Sequence, residues 1–216
     1  EDYYPRRQSE PGRALLSLRK LGIAPPPGST LRLRDISLEV RAGEVLGIGG
    51  LMGAGRTELA EALFGITPAV TGTISLSGTP LAMTSAQVAI ANRLYLVPED
   101  RRHHGLVVSL SIRENISLPD LGNMQTGGLV NRAKEARVTQ ERASALTVKA
   151  PSVEMAAANL SGGNQQKVVL ARWLALSPKV MIFDEPTRGI DVGAKDEIYK
   201  LIRALAAENV AVLVIS

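Results

Sequence analysis

A chain of 216 residues is long enough for one well-buried domain with a small satellite, and 45% hydrophobic with 21% charged residues is an ordinary globular composition. Lys and Arg number 25 against 21 Asp and Glu; the surplus of +4 is spread along the chain and reads as a solvated surface, not as a nucleic-acid or anionic-lipid footprint. The lack of cysteine excludes disulfide staples and thiolate metal sites, and no run approaches the roughly 18 consecutive apolar residues of a membrane span.

The opening "EDYYPRRQSEPGR" is polar and turn-rich, unlike a signal peptide, and residues 1–13 read as a linker carrying Pro5 and Pro11. With no initiator methionine, and an end inside "NVAVLVIS", the chain is expected to be a piece of a longer polypeptide. A second break, "APPPGS" (Ala24 to Ser29), separates two short strand-like runs. "LRLRDISLEV" then alternates apolar and polar residues at Leu31, Leu33, Ile36, Leu38 and Val40, with one slip at Asp35, as a half-buried strand does. "GEVLGIGG" is expected to be a buried strand running into a glycine loop, and "RTELAEALFG" a helix closed by Gly65. A strand in "TGTISLSG", a helix near Ser85 to Asn92, a strand in "LYLVPED" and a helical stretch near Ile112 to Ile116 follow. "NRAKEARVTQERASAL" is charged and helical. "SGGNQQKVVLARWLAL" is a helix with Ser161 at its N-cap and apolar points at Val168, Val169, Leu170, Trp173 and Leu174. "KVMIFDEP" is a short strand stopped by Pro186, "GAKDEIYKLIRALAAEN" an amphipathic helix, and "VAVLVIS" a last strand. The alternation predicts an α/β fold with a mostly parallel central sheet and an antiparallel strand group at the front.

Three motifs carry chemistry. "GLMGAGRT" (Gly50, Leu51, Met52, Gly53, Ala54, Gly55, Arg56, Thr57) meets the phosphate-loop template G-x-x-x-x-G-K-[ST] everywhere except at Arg56. Glycines let the backbone fold tightly and bring N–H groups onto phosphate oxygens, and the following helix adds its dipole. Thr57 stands where a hydroxyl would bind Mg²⁺. A strand–turn–helix whose glycines serve only to turn would share this pattern. "VMIFDEP" ends a hydrophobic strand in acids, so Asp184 could hold Mg²⁺ through water at the sheet's C-terminal edge, and Glu185 could accept a proton from an attacking water. An ordinary buried strand can also end in two acids. "LSGGNQQK" (Leu160 to Lys167) places a serine and two glycines before a long helix, either a second anion-binding helix N-terminus or a capped helix with a flexible entry. The order of all three along the chain favours the nucleotide reading of each.

These residues resemble the nucleotide-binding domain of an ABC transporter, a P-loop NTPase fold with a mostly parallel central sheet, an antiparallel β subdomain and a helical subdomain. "GLMGAGRT" looks like its Walker A loop, "VMIFDEP" its Walker B strand, "LSGGNQQK" its signature and "RGID" (Arg188 to Asp191) its D-loop, while "YLVPEDR" lies where the family has its Q-loop. "GLMGAGRTEL", "VPEDR", "LSGGNQQK" and "DEPTRGIDVGAK" together look like the second such domain of the duplicated importers for simple sugars (ribose, galactose, xylose, arabinose and autoinducer-2 relatives). The resemblance divides the chain into residues 1–29, a linker and first strand region, and 30–216, the nucleotide-binding domain with a helical subdomain at about 105–175. It implies ATP and Mg²⁺ as ligands, with Glu185 catalytic, Thr57, Glu99 and Asp184 at the metal, and Asp191 in the D-loop. Leu160, Ser161, Gly162, Gly163, Asn164 and Gln165 would face the ATP of a partner domain, and the segment from Leu106 to Ile116 would dock on a membrane subunit. The implied partners are the first nucleotide-binding domain of the same polypeptide or a second copy, permease subunits and, indirectly, a solute-binding protein. The implied location is peripheral, on the cytoplasmic face of the inner membrane. No nucleic-acid partner is expected.

Four departures from the family pattern stand out. Arg56 replaces the Walker A lysine, and a planar guanidinium does not simply replace a compact ammonium. Glu99 stands for the Q-loop glutamine and would repel a γ-phosphate if uncompensated. No aromatic residue lies between Ala14 and Leu63 to stack on adenine unless Tyr3 or Tyr4 folds back, and the chain ends just before the usual switch histidine. The signature face is intact while the Walker A face is altered. The expectation is therefore an asymmetric pair, in which this domain lends its signature to a partner's site and its own site is weaker. The alternatives are a nucleotide-binding regulatory module with little turnover, and a non-transport ABC ATPase, which would call for basic arms that the sequence lacks. "RRHH" (Arg101 to His104) is read as an exposed loop, and neither histidine has metal-ligand spacing.

Overall fold

The computed structural model describes residues 12–24, 33–51 and 53–216, apart from the side chain of Val192; Tyr3, Tyr4, Leu31, Met52 and the stretch 25–32 lie outside the described residues. Strands β1 (Ala14–Ile23), β2 (Leu33–Arg41) and β3 (Val45–Ile48) lead into helix α1 (Arg56–Phe64). Then come β4 (Ala69–Leu76), β5 (Thr79–Pro80), α2 (Ala86–Ala91) and β6 (Leu94–Val97). A π-helical turn at Arg101–Gly105 precedes α3 (Ile112–Ser117), a 3₁₀ segment at Leu118–Met124 and the short hairpin of β7 (Gln125–Thr126) and β8 (Leu129–Val130). Helix α4 (Arg132–Ala145), a 3₁₀ turn at Ala157–Asn159, α5 (Gly162–Leu174), β9 (Val180–Asp184), α6 (Val192–Ala207) and β10 (Ala211–Ile215) complete the chain. Two compact units result. The first takes the described residues up to Leu96 with Lys179–Asp184 and Glu197–Ser216; the second takes Val97–Pro178 and Glu185–Asp196.

The first unit holds two sheets. In one, of order β2-β1-β4-β5, the pairs β1–β2, β1–β4 and β4–β5 are antiparallel. The slip at Asp35 is a bulge. Between the pairs Leu18↔Leu38 and Leu21↔Ile36, β1 spends one residue more than β2, and by Ile23↔Leu33 β2 has spent one more in return. Lys20 (φ 48°) and Asp35 (φ 54°) take the left-handed conformation that absorbs each extra residue, and Lys20 N donates to Ser37 Oγ at 2.9 Å. Opposite the first bulge sits Gly72 (φ 81°), where a β-carbon would fall 2.4 Å from Lys20 O, so only glycine fits.

The other sheet has the order β3-β10-β9-β6, with β10 parallel to both β3 and β9. Every residue of β9 is buried, as is all of β10 except Val214, which explains their unbroken apolar runs. The expectation of a buried strand at "GEVLGIGG" is corrected. Among the described residues β3 ends the sheet order, and Val45 is 44% exposed. Helix α1 buries Leu59, Ala60, Ala62, Leu63 and Phe64 and packs against β9, β1 and α2. Gly65 closes it at φ 79°, its N–H returning to the last turn.

The second unit is helical. α3, α4 and α5 pack on one another, α5 contributing Val168, Val169, Leu170, Ala171 and Trp173 to the core. α3 opens with a full capping box between Ser111 and Glu114. "RRHH" is no loose loop but the π turn: Asp100 caps it, its Oδ1 accepting from the N–H groups of Arg102 and His103. No helix among the described residues is long and apolar enough to cross a membrane.

Candidate functional site

Register brings the first two motifs to one sheet edge. Ile215 pairs with Ile48 on one side and with Asp184 on the other, so the mouth of the glycine loop and the acid that ends β9 lie level, about 9–10 Å apart at two strand spacings. Ser216 N donates to Ile48 O at 3.1 Å and extends that alignment by one residue. Asp184 is 2% exposed, a carboxylate at the C-terminal edge of a parallel sheet.

The described loop residues Gly50, Leu51, Gly53, Ala54 and Gly55 curl tightly, with Ala54 N donating to Leu51 O at 3.1 Å. Gly53 (φ 79°) and Gly55 (φ 88°) supply the left-handed turns, and no side chain caps α1, so its first N–H groups face outward. Arg56 and Thr57, both half-buried, open that helix. The Arg56 side chain lies back across the loop: a β-carbon at Gly50 would sit 3.5 Å from Arg56 Cδ and 3.6 Å from Ala54 Cβ. Arg56 Cδ therefore lies beside Gly50, and beyond it stands a planar guanidinium where the phosphate-loop template has a compact ammonium. Thr57 and Asp184 are the hard oxygen donors, hydroxyl and carboxylate, that suit Mg²⁺. Glu185 follows Asp184 directly and is held at φ 43°, a conformation a non-glycine residue adopts only under constraint.

In the second unit Glu99 is not uncompensated: its carboxylate pairs with the Arg188 guanidinium. Arg101 donates through Nη1 to Arg188 O (3.1 Å) and through Nη2 to Gly189 O (3.4 Å), which fastens the "RGID" turn to the "PEDR" segment. Asp191 Oδ1 accepts from Ala194 N at 2.9 Å, and that bond holds its carboxyl below the ordinary value. The hydrogen bond from His103 does the same for Asp100.

Both signature glycines sit in close approach to their neighbours. A β-carbon on Gly162 would fall 2.5 Å from Arg101 Nη2 and 3.3 Å from Gly189 O, and one on Gly163 would fall 3.1 Å from Ala194 Cβ. Ser161 occupies the N-cap position of α5, as its place in the sequence predicts, yet its side chain makes no capping bond. It stays exposed and accepts instead from Asn164 Nδ2 at 2.9 Å. Leu160 is buried and anchors the entry to the helix. Gln165 is corrected: it is 2% exposed, and its Nε2 donates to Ala157 O at 3.0 Å, so helical phase turns its amide into the core and away from any ligand at Ser161. The expected site residues thus fall into two groups, the glycine loop with Asp184 and the signature with Glu99 and Asp191. Arg101 and Lys149 were not foreseen. Arg101 shows only as one of two adjacent arginines, and Lys149, whose N–H meets Asn164 Oδ1 at 2.8 Å, has no motif of its own.

Comparison with known proteins agrees with this geometry. Residues 33–188 match the family described as ABC transporter. The chain is 45% identical over 216 residues to the ribose import ATP-binding protein RbsA of Bacillus licheniformis, covering 99% of this chain and 42% of that protein. To RbsA 1 of Streptomyces coelicolor it is 47% identical over 219 residues, again with 42% of that protein covered. The chain therefore spans well under half the length of these relatives. Among solved structures, a dimeric bacterial ABC transporter cassette superposes with a TM-score of 0.77 at 21% identity, covering 94% of this chain and 88% of that one. The same cassette in a post-hydrolysis state bound to ADP and Pi gives 0.76 at 20% identity.

Proposed function

The chain belongs to the ABC transporter family, and from that premise we propose that it is an ATP-binding and ATP-hydrolysing domain that energises import of a simple sugar such as ribose, the second of two such domains in one polypeptide. The observation that carries the reading is the shared register of Ile48, Ile215 and Asp184, which sets a phosphate-cradling loop and an acid at the same edge of a parallel sheet. Identity of 45–47% over nearly the whole chain to ribose import ATP-binding proteins supports the substrate class. Loop N–H groups and the start of α1 bind the phosphates. Thr57 and Asp184 would hold Mg²⁺, which neutralises phosphate charge when bound, and Glu185 accepts the proton of the attacking water. Permease subunits and the first domain complete the machine, with the domain peripheral on the cytoplasmic face of the membrane.

Within the pair the contribution is unequal. Ser161 is exposed and Gly162 and Gly163 keep the start of α5 tight, so the signature face is complete. A planar guanidinium at Arg56 in place of a compact ammonium favours weak or slow turnover at the site built on this domain. In the complete importer, Ser161→Ala is expected to cut ATP hydrolysis and transport about a hundredfold, and Arg56→Ala less than about fivefold. Equal losses from the two substitutions would refute the asymmetric pair. Wild-type hydrolysis and transport in both variants would refute the ATPase reading of these motifs.

A further inference from the structure

A backbone N–H can only donate. Lys149 N lies 2.8 Å from Asn164 Oδ1, so the amide atom facing it is the carbonyl oxygen and the NH₂ group faces the other way. On that side is Ser161 Oγ, at 2.9 Å. An NH₂ group also only donates, so the hydroxyl oxygen is the acceptor and its one proton must point elsewhere. α5 makes no capping bond to this hydroxyl, and the O–H donates to no acceptor among the described residues. The hydroxyl is exposed, and its proton is left to solvent or to a ligand.

The scaffold behind the amide is fixed as well. Lys167 Nζ donates to Thr147 O (3.2 Å) and Thr147 Oγ1 (3.0 Å), and Val148 N donates to Ala143 O at 3.0 Å, so the loop that presents Lys149 N is tied to α5 and α4. Phosphate oxygens accept hydrogen bonds and do not donate them. A serine that meets one with a lone pair repels it; one that meets it with a proton binds it.

We propose that Asn164 is a positioning residue that sets the polarity of the Ser161 hydroxyl, holding its proton outward as a donor to a phosphate oxygen of the nucleotide bound against this face. The proposal rests on the signature reading above and adds to it a chain of cause from Lys149 N through the Asn164 amide to Ser161.

The test is a double-mutant cycle in the complete ATPase assembled with its permease, read as KM and kcat for MgATP. Asn164→Asp keeps an acceptor for Lys149 N but offers Ser161 only a second acceptor, so the serine proton turns inward. KM is expected to rise roughly tenfold, and kcat to fall by less than it does in Ser161→Ala. The uncharged Asn164→Ala, which merely frees the hydroxyl, is expected to raise KM about threefold. In a Ser161→Ala background both effects should shrink to less than about twofold, because nothing remains to orient. Effects of undiminished size in that background mean that charge or packing acts without the serine, and the proposal falls. Wild-type KM in Asn164→Asp overturns it too. If Ser161→Ala alone leaves turnover and KM unchanged, the signature reading fails first. Thermal melting of each variant separates loss of fold from loss of orientation, and Asn164→Ala supplies the cycle if Asn164→Asp does not fold.

Discussion

Arg172 is a buried cation with no carboxylate partner among the described residues; the oxygens of Asn115 accept its hydrogen bonds. Its Nε donates to Asn115 O at 2.7 Å and its Nη2 to Asn115 Oδ1 at 2.9 Å, while the guanidinium lies 5.9 Å over the Trp173 ring. Burial pushes its pKa down to about 10, still far above neutrality, so the charge is present at physiological pH. Asn115 is wholly buried and spends its remaining capacity on the preceding loop, donating to Val107 O, Leu110 O and Ser111 O and accepting from Val107 N. One asparagine thus closes the Val107–Ser111 loop and satisfies the arginine. Asn115→Ala should cost about 3 kcal/mol in urea unfolding, because it takes one acceptor from a buried charge and strands backbone groups of the Val107–Ser111 loop. Arg172→Met, which removes the charge and keeps the volume, should cost distinctly less.

At the scale of the element, α3 shows how local chemistry sets a boundary. Ser111 Oγ accepts from Glu114 N at 3.1 Å, and Glu114 Oε2 accepts from Ser111 N at 2.9 Å and from its hydroxyl at 2.8 Å. Those donors hold the Glu114 carboxyl below its ordinary 4.5. A depressed folded-state pKa means that the unfolded chain binds the proton more readily. The stabilisation is therefore complete above about pH 4.5 and is lost as the pH falls through the lower folded value. Glu114→Gln should accordingly flatten the acid limb of the stability curve below pH 4.5 while costing under about 1 kcal/mol at pH 7, as measured by denaturant titration across pH. Behind the cap, Arg113 joins α3 to Glu135 of α4 and to Glu154.

For the molecule as a whole, connectivity is the decisive feature. The second unit is built from two stretches of chain, Val97–Pro178 and Glu185–Asp196. The later stretch is fastened to the earlier by Glu99 with Arg188, by Arg101 on two carbonyls, and by the glycines that let α5 approach Gly189 and Ala194. Arg101→Ala should raise amide hydrogen exchange at Arg188–Asp191 at least tenfold while shifting global unfolding by less than about 1 kcal/mol, since the bonds it removes lie at an exposed face. Unchanged exchange at that turn would show that the glycine contacts alone suffice to hold it.

Much of this was legible in advance because it is local. The glycine loop, the Asp184–Glu185 pair, the signature, the C-cap at Gly65 and the slip at Asp35 each arise from residues within a few positions of one another, where steric and hydrogen-bonding preferences act directly. The alternation of β-branched runs with helical periods likewise determined an α/β fold with a parallel sheet. Tertiary structure alone decided what depends on partners distant in the chain. Among the described residues it left β3 at the end of its sheet order, half exposed where the sequence reads as buried. It turned Gln165 inward by helical phase against Ala157, paired Glu99 with Arg188, and oriented Asn164 through the N–H of Lys149. Residues far apart in sequence meet only after the chain has condensed, and then geometry selects which donor faces which acceptor. The glycine loop after β3 belongs to the sequence; which way the Asn164 amide faces belongs to the fold.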